Sequence, residues 1–174
     1  YAPDYTRERI NIFTAARLHA EKGILRMIPI LERVKKSGAA FVWRIGGDGP
    51  ERGETERRIA ESGLKDDIIL LGSLKNPYPY FKFSDVVLVP SYNEAAPMVF
   101  DEARAFGTPI FTTDTSSAKE IVSDTKSGAV CDNTDESIEK ELRKFILNFV
   151  PHKNNVGYCD NKIAIDEFDE LING

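Results

Sequence analysis

The side chains of this 174-residue chain best suited to chemistry are two carboxylates that flank a predicted helix start. Glu94 and Glu102 are eight positions apart, and Pro97, which can open a helix, lies between them. An ionised carboxylate accepts at two oxygens and can hold two neighbouring hydroxyls. The backbone N–H groups of Met98 and Val99 would have no intrahelical partner and could donate to phosphate or sugar oxygens. The segment therefore predicts a site for hydroxyls and an anion.

Arg17 and Lys22 supply positive charge for the same kind of ligand. Both follow the apolar run 10–16, and Lys22 lies where a helical pattern begins. Two cations beside free backbone N–H groups suit a diphosphate. Taken without the carboxylates, the pair is more simply interpreted as two ordinary solvated surface charges.

Two glycine-bearing turns follow other predicted strands. Residues 46–50, Gly-Gly-Asp-Gly-Pro, come after the second strand, and Gly72-Ser-Leu74-Lys come after the third. Glycine permits positive φ and close approach of the backbone to a ligand. The first turn, with Gly47 inside it, differs from G-x-G-x-x-G and follows the second strand, so it is weak evidence for a dinucleotide site.

Strand-like and helix-like patterns alternate along the chain, which predicts a three-layer, Rossmann-like α/β domain with a mostly parallel six-stranded sheet. The predicted strands are 10–16, 41–45, 68–71, 85–90, 109–112 and 128–131, and the predicted helices are 24–34, 51–63, 97–106, 118–123, 138–149 and 163–172. Residues 77–80, Pro-Tyr-Pro-Tyr, are predicted to form a loop or short turn. Ligands of such sheets bind beyond the carboxyl ends of the strands, where the strand order reverses. The candidate residues all fall at those ends.

Composition sets the remaining expectations. We expect residues 1–9 to be a linker from an N-terminal domain outside the chain, residues 10–150 to be one domain, and residues 151–174 to be a partly helical tail. The net charge of −5 argues against a nucleic-acid partner, and no apolar run approaches the roughly 20 residues that span a bilayer. Cys131 and Cys159 lack metal-ligand spacing and favour reduced thiols in the cytoplasm.

The four elements, in this order, resemble a known family. Arg17-Leu-His-Ala-Glu-Lys22-Gly, the glycine turn at 46–50, Gly72 before a loop, and Pro-Ser-Tyr-Asn-Glu94 with Glu102-Ala-Arg-Ala-Phe-Gly-Thr-Pro are similar to the retaining glycosyltransferases of family 4, group 1. The resemblance runs from about residue 10 to residue 149 and is to the C-terminal, donor-binding half of their GT-B fold. It implies transfer of a hexose from a nucleoside diphosphate sugar to a glycan, lipid or small-molecule acceptor.

The resemblance also implies roles for individual residues. Arg17, Lys22 and Glu94 would be catalytic: the two cations grip the leaving diphosphate, and Glu94 meets the sugar ring near the transferred carbon. The implied donor-binding residues, with Glu102 on the ribose hydroxyls, are Gly47, Leu74, Pro97, Met98, Val99 and Glu102. No metal and no cofactor are expected. The acceptor site and any peripheral membrane contact would belong to the N-terminal domain, without which the chain is expected to bind a nucleoside diphosphate weakly and to transfer nothing.

Three alternatives stay open at this point. A non-catalytic nucleotide-sugar-binding module is one, because Ala95 and Ala96 stand where the family usually has glycine and a bulky residue. A GT-B nucleotide-sugar epimerase would share the diphosphate and ribose contacts but needs catalytic acids and a histidine that the sequence does not place. A nicotinamide-dependent oxidoreductase would need G-x-G-x-x-G after the first strand, where Arg17 stands instead.

Overall fold

A computed structural model describes residues 8–93, 98–115, 118–125 and 128–148. Its strands are β1 Ile10–Ala15, β2 Phe41–Gly46, β3 Ile68–Gly72, β4 Val86–Val89, β5 Ile110–Thr113 and β6 Gly128–Cys131. Its helices are α1 Ile24–Lys36, α2 Arg52–Glu61, α3 Tyr78–Phe83, α4 Met98–Ala105, α5 Ala118–Thr125 and α6 Asp135–Asn148, with one 3-10 turn at Ala20–Lys22. The predicted linker and tail lie mostly outside these residues, so the domain boundaries stay predictions.

The six strands form one sheet in the order β3-β2-β1-β4-β5-β6, and every pairing is parallel. This is the order of a doubly wound Rossmann-like domain, in which successive crossovers turn to opposite sides at β1. The predicted α/β fold with a six-stranded parallel sheet is confirmed. Because β1 lies directly beside β4, the loops after these two strands leave the sheet at one place.

Both faces of the sheet are covered, which makes three layers. Alternate residues of β1 enter two separate apolar clusters: Ile12 belongs to the cluster that includes residues of α1 and α6, and Phe13 to the one that includes residues of α3, α4 and α5. Both side chains are fully buried. A parallel strand buried on both faces is expected to be largely apolar. β4 is apolar throughout, and β1 is apolar except at Asn11 and Thr14, so both strands were predictable.

The prediction for residues 77–80 was wrong in one respect. They enter α3, a helix of 6 residues that follows Pro77. Pro79 fits in its first turn, because an N–H group at that position would have no helical partner. Burial favours the helix: Phe81 is fully buried, and its ring centroid lies 5.0 Å from that of Phe13. Tertiary packing thus overrides the two prolines that indicated a break.

Candidate functional site

A cavity of about 240 Å³ opens at the place where the strand order reverses. The end of β1 contributes Thr14–Arg17, the end of β4 contributes Leu88–Ser91, and Lys22, Met98 and Val99 complete the lining. The cavity therefore lies between two loops and the first turn of α4. This is the position at which open parallel α/β sheets bind their ligands.

Four of the predicted site residues share this cavity: Arg17, Lys22, Met98 and Val99. Three others do not line the cavity but lie near residues or elements that do: Gly47, Leu74 and Glu102. The remaining two, Glu94 and Pro97, lie outside the residues that the structure describes. The roles assigned to all nine stay predictions.

Arg17 is exposed at the cavity, on a loop whose backbone is fixed on both sides of it. The N–H of Ala16 donates to the carbonyl of Gly46 at 3.0 Å, and the N–H of Leu18 donates to the carbonyl of Asp48 at 3.0 Å. Within the described parts of the chain, the Arg17 side chain forms neither an ion pair nor a hydrogen bond. The site thus holds a guanidinium group on a fixed backbone, and no acid that the structure describes neutralises its charge.

The glycine turn after β2 has a structural reason that the sequence did not show. Gly47 has a φ of 148°, and a Cβ added there would lie 1.9 Å from the carbonyl oxygen of Ala16. A Cβ on Gly49 would lie 2.3 Å from the carbonyl oxygen of Leu18. The two glycines allow the turn to pack directly on the backbone that carries Arg17. They therefore position Arg17, whether or not Gly47 also contacts a ligand.

The loop that carries Lys22 packs on the end of β4 in a similar way. Gly23, at the start of α1, has a φ of 67°, and a Cβ there would lie 2.1 Å from the carbonyl oxygen of Pro90. The N–H of Tyr92 donates to the carbonyl of Glu21 at 2.8 Å. Lys22 is thus held beside the segment that leaves β4.

Leu74 and Glu102 flank this arrangement. Leu74 packs against the apolar cluster that contains Phe13, and its Cδ1 would lie 2.7 Å from a Cβ on Gly46. Glu102 is half-buried in the second turn of α4. It stands four positions after Met98, so the two side chains lie on the same face of the helix. Because Met98 lines the cavity, Glu102 is one helical turn away from it.

Sequence reasoning missed Thr14 and Ser91, which also line the cavity. The Thr14 hydroxyl donates to the carbonyl of Leu88 at 2.7 Å and accepts from Nε1 of Trp43 at 2.9 Å, so it ties β1 to β4 at the cavity floor. A threonine inside an apolar strand was the only signal for it. Ser91 accepts at its carbonyl from the Thr113 hydroxyl at 2.6 Å, which no sequence pattern indicates.

The described residues offer no second site for metal or membrane chemistry. They contain no group of three or more His, Cys, Asp or Glu that could hold a metal ion. Within the same part of the chain, no helix has the length and apolar character needed to cross a membrane. Cys131 is a free, buried thiol, and burial raises its pKa to about 12, so it is protonated at neutral pH.

The doubly wound parallel sheet, with its cavity at the reversal of strand order, defines a Rossmann-like α/β domain. Residues 5–158 match the family described as "Glycosyl transferases group 1", and the chain belongs to that family.

Individual relatives agree with this assignment. The amylovoran biosynthesis glycosyltransferase AmsD of Erwinia amylovora is 27% identical over 152 residues, which are 86% of this chain and 42% of AmsD. The solved lipopolysaccharide outer core galactosyltransferase WaaB matches 98% of this chain and 47% of its own, with a TM-score of 0.74 and 18% identity. The pneumococcal O-GlcNAc transferase GtfA, solved in complex with UDP and GlcNAc, matches 94% of this chain and 34% of its own, with a TM-score of 0.66 and 19% identity. The structural neighbours are GT-B glycosyltransferases, and the chain spans less than half the length of each of these three proteins.

Proposed function

We propose that this chain is the donor-binding half of a retaining family 4 glycosyltransferase. It would bind a nucleoside diphosphate sugar and, together with an N-terminal domain, transfer the hexose to a glycan, lipid or small-molecule acceptor in the cytoplasm. The observation that carries the proposal is the shared cavity: Arg17, Lys22 and the first turn of α4 meet at the reversal of strand order. Membership of the glycosyltransferase family supports the reaction class.

The diphosphate would lie between the two cations and the start of α4. Transfer breaks the bond between the anomeric carbon and a diphosphate oxygen, and negative charge develops on the leaving diphosphate. Arg17 and Lys22 would stabilise that charge as it forms, which is electrostatic catalysis. The N–H groups of Met98 and Val99, in the first described turn of α4, would add two donors. No metal ion and no cofactor take part in the proposed reaction.

The nucleoside and the sugar would lie on the two sides of the diphosphate. Glu102, one helical turn from Met98, would accept from the ribose hydroxyls. Gly47 and Leu74 would lie on the side of the base and ribose. Glu94 and Pro97 would complete the site, with Glu94 at the sugar ring. The UDP in the complex of GtfA supports a nucleoside diphosphate as the ligand of this fold, and the part of AmsD in amylovoran biosynthesis supports a polysaccharide pathway.

Calorimetric titration of the chain with UDP, GDP, ADP and NAD tests the proposal. We expect weak binding of one diphosphate, stronger than that of the matching nucleoside, because the cations contact the diphosphate. We also expect no turnover of the nucleotide sugar, since the acceptor site would belong to the other domain. Binding of NAD alone would favour the oxidoreductase. Failure of all four ligands would favour a module that has lost donor binding. Release of free diphosphate at enzymatic rates would contradict the proposed division between domains.

A further inference from the structure

The segment that leaves β4, residues 90–93, is held by three parts of the chain that are distant in sequence. Thr113 of β5 donates through its hydroxyl to the carbonyl of Ser91 at 2.6 Å. The N–H of Tyr92 donates to the carbonyl of Glu21 at 2.8 Å. Nδ2 of Asn133, in the turn between β6 and α6, donates to the carbonyl of Tyr92 at 3.0 Å. The segment forms a wall of the cavity, because Pro90 and Ser91 line it.

Asn133 is itself oriented by a buried cation. Its Oδ1 accepts from Nη1 of Arg26 at 2.6 Å, and Arg26 also forms an ion pair with Asp135, in which Nη2 lies 2.9 Å from Oδ1. Only 4% of the Arg26 side chain is exposed, and its guanidinium carbon lies 4.2 Å from the centroid of the Tyr92 ring. A reversed amide would point its NH₂ group at a guanidinium group, which only donates. Arg26 therefore directs the NH₂ group of Asn133 towards the segment.

We propose that Asn133, oriented by Arg26, is a positioning residue for the donor cavity. The pair holds the 90–93 wall at the distance from the Lys22 loop that the ligand requires. Arg26 stands three positions after Gly23, so the same first turn of α1 that carries the Gly23–Pro90 contact also carries the group that orients Asn133. Gly23 packs directly on Pro90, and Arg26 acts on Tyr92 through Asn133, so both attachments of the wall lead to the start of α1. This inference rests on the proposed function, because it treats the cavity as the donor site.

The test uses Asn133→Asp, which keeps the acceptor for Arg26 and removes the donor to the Tyr92 carbonyl. An aspartate can still accept from Arg26, but its second oxygen would face the Tyr92 carbonyl and could donate nothing. Asn148→Asp, at the exposed end of α6, makes the same chemical change away from the cavity and is the matched control. Arg26→Lys is the second variant: it keeps the charge but has no fork of donors to bridge Asn133 and Asp135.

Two measurements are made on each variant. The first is hydrogen exchange of the Tyr92 amide without ligand, which we expect to be faster in Asn133→Asp than in the parent and in Asn148→Asp. The second is titration with UDP, GDP and ADP, in which Asn133→Asp should bind the parent's preferred diphosphate about five- to tenfold more weakly, the ratio for one lost neutral hydrogen bond. Arg26→Lys should change both quantities in the same direction.

The outcomes separate this inference from the proposed function. Unchanged exchange at Tyr92 in both variants would overturn the inference, whatever the ligand binding. Faster exchange with parental affinity would also overturn it, since Asn133 would then stabilise the fold without positioning the site. If exchange at Tyr92 is faster in the variants but the parent itself binds none of the three diphosphates, Asn133 does fix residues 90–93 and the proposed function fails.

Discussion

The rim of the cavity, meaning Arg17 and the glycine turn 46–50 that packs beneath it, and the surface of α2 both carry arginine and glycine. The two regions differ in whether the arginine is paired with an acid and in how closely the glycine is packed. On α2, Arg57 forms ion pairs with Glu54 at 2.6 Å and with Glu61 at 2.7 Å, all within one helix. At the rim, Arg17 has no ionic partner among the described residues. The charge of Arg57 is therefore neutralised within α2, whereas no described acid neutralises the charge of Arg17. Counting cations along the sequence cannot distinguish these two cases, but local pairing can.

The glycines of the two regions differ in how closely other atoms pack against them. A Cβ on Gly53 of α2 would meet no atom within 4 Å, whereas a Cβ on Gly47 would lie 1.9 Å from a backbone oxygen. The rim is therefore a crowded arrangement of backbone segments that carries Arg17, a cation with no acidic partner in the part of the chain that the structure describes. The surface of α2 is a solvated face whose side chains satisfy one another.

The largest expected difference between the regions is in stability. We expect Gly47→Ala to lower the free energy of unfolding by about 2–6 kcal/mol, the sum of about 1–3 for strained backbone and about 1–3 for overpacking. Gly53→Ala, inside a helix with open space, should raise it by about 0.5–1 kcal/mol. Urea denaturation of both variants measures this contrast, and equal stabilities would show that the crowding at Gly47 relaxes without cost.

The next effect concerns ligand binding. Arg17→Ala should weaken binding of the preferred nucleoside diphosphate by about 1.5–3 kcal/mol, the range for a hydrogen bond to a charged group. Its affinity for the nucleoside should fall less, because only the diphosphate would contact the guanidinium. Arg57→Ala should leave both affinities unchanged. Calorimetry decides the matter: parental binding by Arg17→Ala would remove Arg17 from the site.

A comparison of two neighbouring acids extends the test to α4. Glu102→Ala should weaken nucleoside binding, at the lower end of about 1.5–3 kcal/mol, through loss of a charge-assisted hydrogen bond to ribose. Asp101→Ala is the matched control, because that side chain is 73% exposed and paired with Arg104. If the two variants lose affinity equally, the effect comes from the charge of the helix start and the ribose assignment is wrong.

The smallest effect is the pH response of α2. Hydrogen bonds from Arg57 and then Arg58 lower the pKa of Glu54 to about 2, from an ordinary value of 4.5. A carboxyl with a lowered folded-state pKa stabilises the fold above its unfolded pKa, and this contribution is lost as pH falls from 4.5 towards 2. Glu54→Gln should therefore show a slightly shallower fall in melting temperature between pH 5 and pH 3. The exposed location keeps the effect small, and identical pH profiles would mean that these ion pairs contribute nothing measurable.

The elements of the fold were predictable where burial follows local pattern. The apolar run of β4, the largely apolar β1 and the helical spacing of Ile24, Met27 and Leu31 in α1 correspond to buried residues. The helix α3 was missed because Pro77 and Pro79 locally indicate a break. The helix is stabilised by packing of Phe81 against Phe13 of β1, a contact that the local sequence does not show. Arg17 and Lys22 could be selected from the sequence because their residue types suit an anion. Asn133 and Arg26 could not, since Asn133 stands near no recognisable motif and the contact that gives Arg26 its role joins residues 107 positions apart.

The sequence by itself determined where the strands and most of the helices follow one another along the chain, and which residue types stand at the strand ends. These features depend on residues only a few positions apart. Only the tertiary structure decided that β1 lies beside β4, where Thr14 bonds to Leu88 across 74 positions of the chain. That adjacency brings Arg17, Lys22 and the start of α4 to one cavity. Its physical reason is the burial of both faces of the sheet, which fixes how distant strands pair and which no local pattern encodes.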